Sequence, residues 1–335
     1  MLTLLIRRLL GALLVLLGIS VITFLLARVV PGDPARLMAG PKANQEAVQA
    51  LRVRLGLTGP LPQQYIRYMG GLLQGDMGLS FSTKRPVAQD IRSFFPATAE
   101  LALFALLIGV VIGIPGGILS AVWKNSFFDI AGRLLSTLGV ALPSFWVGLL
   151  LQWWFYGVLD WLPVGSRLGE GVQPPPHVTG FYTVDALVNG QLALLPDIFA
   201  HLLLPGFVLA FGVIAVFVRI MRAALLDVLR QDYLRTARAK GLRDRLLIPR
   251  HALPNALIPV LTVSGLQIGL LLGGAFLVEN IFQWPGVGRY AAQAVIAADY
   301  NATMGVTLVL TAVYTFANML VDVAYGWVDP RMRSA

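Results

Sequence analysis

The residue types that do most enzyme chemistry are scarce in this 335-residue chain and badly spaced for it. There is no cysteine, which removes thiolate nucleophiles, disulfide frameworks and Cys-ligated metals. The three histidines, His177, His201 and His251, lie far apart in sequence and leave little for a metal cage. His201, at the start of an apolar run, and His251, in a basic loop, read as interface or hydrogen-bonded residues. No G-x-x-x-x-G-K followed by Ser or Thr occurs, so the chain has no Walker A phosphate cradle of its own, and neither H-E-x-x-H nor G-x-S-x-G is present. No catalytic residue, metal site or cofactor is expected on this chain. Asp232-Tyr233-Leu234-Arg235-Thr236-Ala237-Arg238-Ala239-Lys240-Gly241-Leu242 reads as a short helix that Gly241 stops. Small Ala237 and Ala239 among basic flanks would let it seat in a groove of another protein. A solvated amphipathic loop lying on anionic lipid fits the same residues equally well.

The elements that must position such a helix follow from composition. Apolar residues make up 57% of the chain and charged ones 13%, against roughly 25% charged in a soluble domain. Crossing about 30 Å of hydrocarbon takes about 20 apolar residues. Six runs of that kind carry no charge at their centres, approximately Leu9 to Val30, Thr98 to Val122, Leu134 to Val158, Ile198 to Val218, Ala256 to Val278 and Met304 to Tyr325. The first follows Arg7 and Arg8 as a secretory signal would, but it is about twice as long as a signal core. The following Arg28-Val29-Val30-Pro31-Gly32-Asp33-Pro34 offers no small-x-small cleavage site, so residues 1–30 read as a retained anchor.

Charge placement sets the expected topology. With six crossings and both termini in the cytoplasm, the inner segments hold Arg7, Arg8, Lys124, Arg133, the dense basic series from Arg219 to Arg250, and Arg331 and Arg333 in the tail 329–335. The later outer loops hold only Arg167 and Arg289. Making the fairly apolar stretch Phe181 to Ala200 a seventh span would place the densest basic loop outside, against the positive-inside bias. The net charge of +9 is therefore an orientation signal with some attraction to anionic lipid, and nucleic acid is not an expected partner. Residues 31–97 are too polar for a membrane and too patterned for a linker. Asn44 can cap a helix carrying Val48, Leu51 and Leu55 with Gly56 as its stop, and Pro62 can open another carrying Tyr65, Tyr68, Leu72 and Leu73 up to Gly75. Long translocated segments escape the charge bias, so a small helical cap outside the membrane is expected, and it could dock an external partner.

No ionisable side chain lies near the middle of a span. Arg28, Glu100, Glu279 and Asp322 sit at or near span ends, within snorkelling reach of the interface. That pattern disfavours a proton-coupled carrier. Gln152, Gln267 and Asn318 fall inside spans and suggest interhelical hydrogen bonds, with a water-filled path as the other reading. Gly109, Gly113, Gly116 and Gly117 around Pro115, and Gly265, Gly269, Gly273 and Gly274, suit close helix packing. Trp153, Trp154 and Trp161 mark an interfacial belt. Trp284-Pro285-Gly286 puts an aromatic at the outer interface before a turn, which reads as a gate or docking lip or simply as a tight loop.

The loop from Arg219 to Asn255 resembles the cytoplasmic signature of binding-protein-dependent ABC importer permeases. That signature is Glu-Ala-Ala, three residues, Gly, nine residues, Ile, one residue, Leu-Pro. Ala237, Gly241, Leu253 and Pro254 fit its spacing, while Arg235, Thr236 and His251 replace its Glu, first Ala and Ile. The wording D-Y-x-R-T-A-R-A-K-G is similar to that of the dipeptide, oligopeptide and nickel branch. So are Pro31-Gly32-Asp33-Pro34, Gly75-Asp76-Met77-Gly78-Leu79-Ser80, Phe282, Trp284-Pro285-Gly286-Val287-Gly288-Arg289, Asp299-Tyr300 and Asp329-Pro330-Arg331, which cover nearly the whole chain. The resemblance is closest to the first dipeptide permease, the subunit with the long outer segment. It implies an all-α integral membrane protein of the type I ABC importer permease fold, with six transmembrane helices and a helical extracytoplasmic segment at 31–97. The transmembrane domain would cover 98–328 and its coupling loop 219–255. It further implies a bacterial inner membrane, a second permease subunit, two cytoplasmic ATPases that hold ATP and Mg, and an external peptide-binding protein. Tyr233, Arg235, Thr236, Ala237, Arg238, Ala239, Lys240, Gly241 and Leu242 would then be the ATPase-coupling helix. A stand-alone secondary carrier or channel for small polar solutes is the competing class, and it would need neither nucleotide nor the inner-loop helix.

Overall fold

Helices dominate the computed structural model, which describes residues 2–29, 34–40, 43–54 and 56–328. Pro31-Gly32-Asp33, Leu55, Asp329-Pro330-Arg331 and the rest of the tail 329–335 lie outside the described residues, as does the side chain of Asp322. Among the described residues the one β contact is an isolated antiparallel bridge between Leu79 and Pro86. The chain forms two units, residues 1–96 with 285–316, and residues 97–284 with 317–335.

In the first unit, α1 (Leu2–Val29) leaves Leu9, Leu10, Leu13 and Leu14 exposed, as suits side chains meant for lipid. Near its end Phe24 and Ala27 are buried with Met304. Three short helices follow, α2 (Pro34–Ala39), α3 (Gln45–Arg54) and α4 (Leu61–Leu73). The Asn44 side chain accepts a hydrogen bond from the Ala47 amide at 2.9 Å, so the predicted cap is present. Aromatic packing fixes α4 on α1: Phe24 lies edge-on to Tyr65 with centroids 5.3 Å apart and stacks on Tyr68 at 5.8 Å. The Ser20 and Tyr65 hydroxyls lie 2.8 Å apart.

A second core joins α5 (Val87–Ile108), α14 (Val287–Ile296) and α15 (Tyr300–Val328), whose Val87, Ile91, Val287, Tyr290, Ala294, Ala302 and Val306 are buried together. The extramembrane segment expected over 31–97 overlaps α5, which begins at Val87 and runs through Pro96. Val87 and Ile91, four residues apart, dock one face of α5 on this core and hold its first turns helical.

In the second unit, α5 passes through a π-helical turn at Gly109–Gly113 into α6 (Ile114–Val122). The turn precedes Pro115, whose missing N–H and bulky ring disturb a regular ladder. This face lies tight on the buried α10 (Leu195–Leu229). A Cβ on Gly109, Gly113 or Gly117 would come within 2.6, 2.7 and 2.6 Å of Val213, Phe217 and Met221 respectively. The predicted small-residue packing is thus an α5/α6 seam that a methyl group would force open.

The third predicted span, Leu134 to Val158, is not one straight helix. It is α7 (Phe127–Ala141) followed by α8 (Ser144–Gln152) and a π-helical end at Trp153–Val158, bent by 106°. Pro143 explains the break, since it drives Leu142 into extended backbone (φ −83°, ψ 129°) and cannot donate to the preceding turn. Among the described residues five helices, at residues 6–28, 87–122, 192–229, 244–281 and 300–321, are long and apolar enough to cross a membrane, and the count is six where the bent pair is one span. Phe181 to Ala200 contains no additional span. It holds α9 (Tyr182–Val188), a turn at Gly190 and a 3-10 turn at Leu192–Leu194, and then α10 begins.

Candidate functional site

The loop expected over 219–255 is narrower than its sequence limits. α10 continues to Leu229, so Arg219 and Arg222 are helical, and α13 (Leu253–Ile281) begins after a π-helical turn at Ile248–Ala252. Residues 230–252 hold α11 (Asp232–Ala239) and α12 (Asp244–Leu247). Every residue marked for coupling, from Tyr233 to Leu242, falls on α11 or its cap. The C-terminus of α11 is a Schellman motif: the Leu242 amide donates to Ala237 O at 3.2 Å and the Gly241 amide to Arg238 O at 2.9 Å. Gly241 sits at φ +85°, where a side chain is strained.

Leu234 is 0% exposed and anchors α11 from below. Tyr233 is exposed, and its hydroxyl donates to His251 O at 3.3 Å and accepts from Asn255 Nδ2 at 2.9 Å. Arg235, Thr236, Arg238, Ala239, Lys240 and Gly241 are exposed, while Ala237 and Leu242 are half-buried. Arg238 Nε lies 3.1 Å from Asp244, and Arg235 lies 3.6 Å from Asp232. The arrangement is a short, capped helix standing on one leucine with a basic, small-residue face turned outward. Such a face can press into an acidic or neutral groove but cannot itself do bond-breaking chemistry.

Two buried ionic knots, neither read from sequence, stiffen the unit that carries this helix. Asp129 of α7 accepts from Arg222 Nε at 2.6 Å and Nη2 at 3.1 Å, from the Ser120 hydroxyl at 2.9 Å and from the Asn125 amide at 2.9 Å. Arg222 had looked like one more orientation charge. The bidentate fork instead ties α7 to α10 one helix upstream of α11. The second knot centres on Glu100 and Arg167, which pair directly. Glu100 also accepts from the Thr183 amide at 2.8 Å and hydroxyl at 2.7 Å. Arg167 donates to Gly180 O at 2.9 Å and lies 3.5 Å over the Tyr182 ring. Near it, Asp185 accepts from the Thr179 amide and hydroxyl, both at 2.7 Å, and from the Gly180 amide at 2.9 Å. Burial pushes the Asp185 carboxyl up, but these donors more than offset it and hold the group below its ordinary value. The expectation that Glu100 and Glu279 snorkel is corrected: both are buried, and Glu279 accepts from the Thr98 hydroxyl at 2.5 Å. Interior partners met by folding, not the interface, satisfy these carboxylates. The only clue in sequence was that acids at apolar span ends need a partner, and a partner 67 residues away is not legible locally.

Comparison with known proteins matches the same stretch. Residues 113–334 fit the family model "Binding-protein-dependent transport system inner membrane component", and residues 1–102 fit the N-terminal model of such membrane components. The chain belongs to this family. The probable D,D-dipeptide transport system permease protein DdpB of Escherichia coli (strain K12) is 47% identical over 96% of this chain and 95% of its own length. The dipeptide transport system permease protein DppB of Alkalihalophilus pseudofirmus is 41% identical over 98% of each chain. A solved structure of the inward-facing MetNI methionine ABC transporter overlaps with a TM-score of 0.49 at 16% identity, covering 70% of this chain and 93% of that one.

This permease is a multi-pass inner membrane transport subunit, not an enzyme. Its motifs cluster by unit. In the first, Asp299 accepts from the Ser80 hydroxyl at 2.6 Å and the Ser82 amide at 3.0 Å, and caps α15 by accepting from the Ala302 amide at 3.1 Å. Asn301 donates to Leu79 O at 2.9 Å. Gly75–Ser80 and Asp299–Tyr300, more than 200 residues apart, are therefore two halves of one clamp. In the second unit, Trp284 is 1% exposed and its indole N–H donates to Ala97 O at 2.9 Å. The ring read from the sequence as a gate or docking lip, or simply as part of a tight loop, is a buried peg, with Pro285 half-buried and Gly286 buried beside it in sequence. Its partner, a backbone carbonyl 187 residues away, removes it from any surface. Gln152 donates to Ile281 O at 3.2 Å, in line with the interhelical reading, and Trp153, Trp154 and Trp161 are exposed as a belt requires. Gln267 lines a cavity of about 240 Å³ with Ser144, Leu209 and Leu271.

Proposed function

We propose that this permease pairs with a second permease and, driven by two cytoplasmic ATPases that hold ATP and Mg, passes dipeptides and other short peptides inward from an external binding protein. Both termini and residues 230–252 face the cytoplasm, and residues 31–86 face outward. The observation that carries the reading is α11 itself. A helix held by one buried leucine, stopped by a Schellman glycine and otherwise exposed is what a groove on a partner can grip and push. Movement of α11 passes to α10, which it follows directly, and the Asp129–Arg222 fork carries it to α7. The chain has no Walker cradle, so the energy enters from the partners. The cargo follows the relatives named for dipeptides.

The test is co-purification of the tagged chain from mild detergent, with identification of what accompanies it, repeated with Ala237→Glu and Ala239→Glu together. A second permease and ATPases should co-purify, and the ATPases should be lost in the variant. A chain that purifies alone and transports in vesicles without ATP overturns the reading in favour of a secondary carrier.

A further inference from the structure

The first unit encloses a cavity of about 500 Å³ that the transport reading leaves unused. That volume lies within the range of about 300–1,000 Å³ typical of small-ligand sites. Its charged lining is unbalanced: Arg28, Arg54 and Arg67 face it with Asp76 as the one acid. Among the described residues none of these three guanidinium groups forms an ion pair. Asp76 is already engaged, accepting from the Gly78 amide at 2.8 Å.

Three polar atoms of the lining are also buried without a partner, Arg28 Nε, Gln64 Oε1 and the Tyr68 hydroxyl. Folds ordinarily satisfy such atoms, and the two that can donate, Arg28 Nε and the Tyr68 hydroxyl, point to an acceptor that arrives from outside. Burial pushes the Tyr68 hydroxyl up to about 12, so it stays protonated and can donate. Arg28 Nε and Tyr68 therefore both offer hydrogens to an acceptor, while Arg54 and Arg67 are exposed and hold positive charge at the opening. Leu51, Leu79 and Met304 supply an apolar wall.

We propose that this cavity binds an oxyanion, a carboxylate or a phosphate carried on a partly apolar stem, with Arg28 and Tyr68 donating to its oxygens and Arg54 and Arg67 attracting it. Planar guanidinium groups suit either anion. Two sources share that chemistry, the free carboxyl end of a short peptide and the phosphate of a phospholipid. The site does not depend on the coupling role of α11.

Native mass spectrometry of the full chain in detergent tests it. N-acetyltrialanine is compared with N-acetyltrialanine amide, and phosphatidylglycerol with diacylglycerol. At least one charged probe should be favoured about tenfold over its uncharged counterpart, and which one identifies the source. Arg54→Gln with Arg67→Gln should erase that preference. Tyr68→Phe, which keeps the ring stack on Phe24, should lower it about threefold. Arg92→Gln, exposed and outside the lining, should leave it intact. The proposal is overturned if neither charged probe is preferred, or if the preference survives in the Arg54/Arg67 variant.

Discussion

Between α8 and α10 the chain crosses residues 159–194 with two charged side chains, Arg167 and Asp185, buried. Arg167 and Glu100 pair in the interior, and Asp185 gathers four backbone or hydroxyl donors from the segment that precedes it. Between α10 and α13 the chain crosses residues 230–252 with its polar groups turned outward. There Arg238–Asp244 and Arg235–Asp232 are solvated pairs worth little, and Leu234 is the buried anchor of α11. The difference is one of what each segment must resist. The first is over-determined and keeps one conformation without help. The second is locally ordered but loosely fastened, which leaves its final seat for another protein to fix.

The sharpest way to break this comparison is Arg167→Met, which strands the Glu100 carboxylate. Removing one partner of a buried pair costs about 3–5 kcal/mol, so the melting temperature in detergent should fall steeply, and Arg167→Met with Glu100→Gln should recover much of it. An unchanged melt for the single variant would mean that the first loop is not held by its knot. Leu234→Ala should act differently. Deleting a buried leucine costs about 2–5 kcal/mol, but here the loss should be spent locally. Amides of α11 should exchange faster and uptake should fall, with the global melt nearly unmoved. A melt that drops as far as that of Arg167→Met would erase the contrast between the two loops.

The same contrast governs what was readable in the sequence. Signals confined to a few residues came through: the Asn44 cap, the stops at Gly56, Gly75 and Gly241, and the α11 helix with its small, basic face. The loop 230–252 is legible because its structure is local. The knots were not legible, because Glu100 meets Arg167 and Asp129 meets Arg222 only after the helices pack. Trp284 stayed ambiguous for the same reason: nothing near it in sequence shows the Ala97 carbonyl that its indole meets. Pro143 was a local signal, but it sat in a run so apolar that hydropathy alone suggested one continuous span.

Two smaller perturbations sharpen the comparison. Gly241→Val places a β-branched residue at φ +85°, where even an unbranched one costs about 1–2 kcal/mol. The Schellman stop should fray, transport should be lost and membrane insertion should be kept, whereas Gly241→Asn, which tolerates left-handed backbone, should retain part of the uptake. Equal loss in both variants would move the effect from backbone strain to the surface that α11 presents.

The smallest effect belongs to Asp185. Its carboxyl is held below the unfolded value of about 3.9, so its contribution is fully present above that pH and fades as pH falls through the depressed folded value. Melting curves of the full chain should be flat in this respect from pH 7 to 5 and decline below about 4. In Asp185→Asn the part of the decline due to this group should vanish. The amide still accepts from Thr179 but cannot match a carboxylate against four donors, so the variant should start slightly lower at pH 7. If its melting curve keeps the wild-type acid slope, the donors around Asp185 are not what keeps the first loop in place.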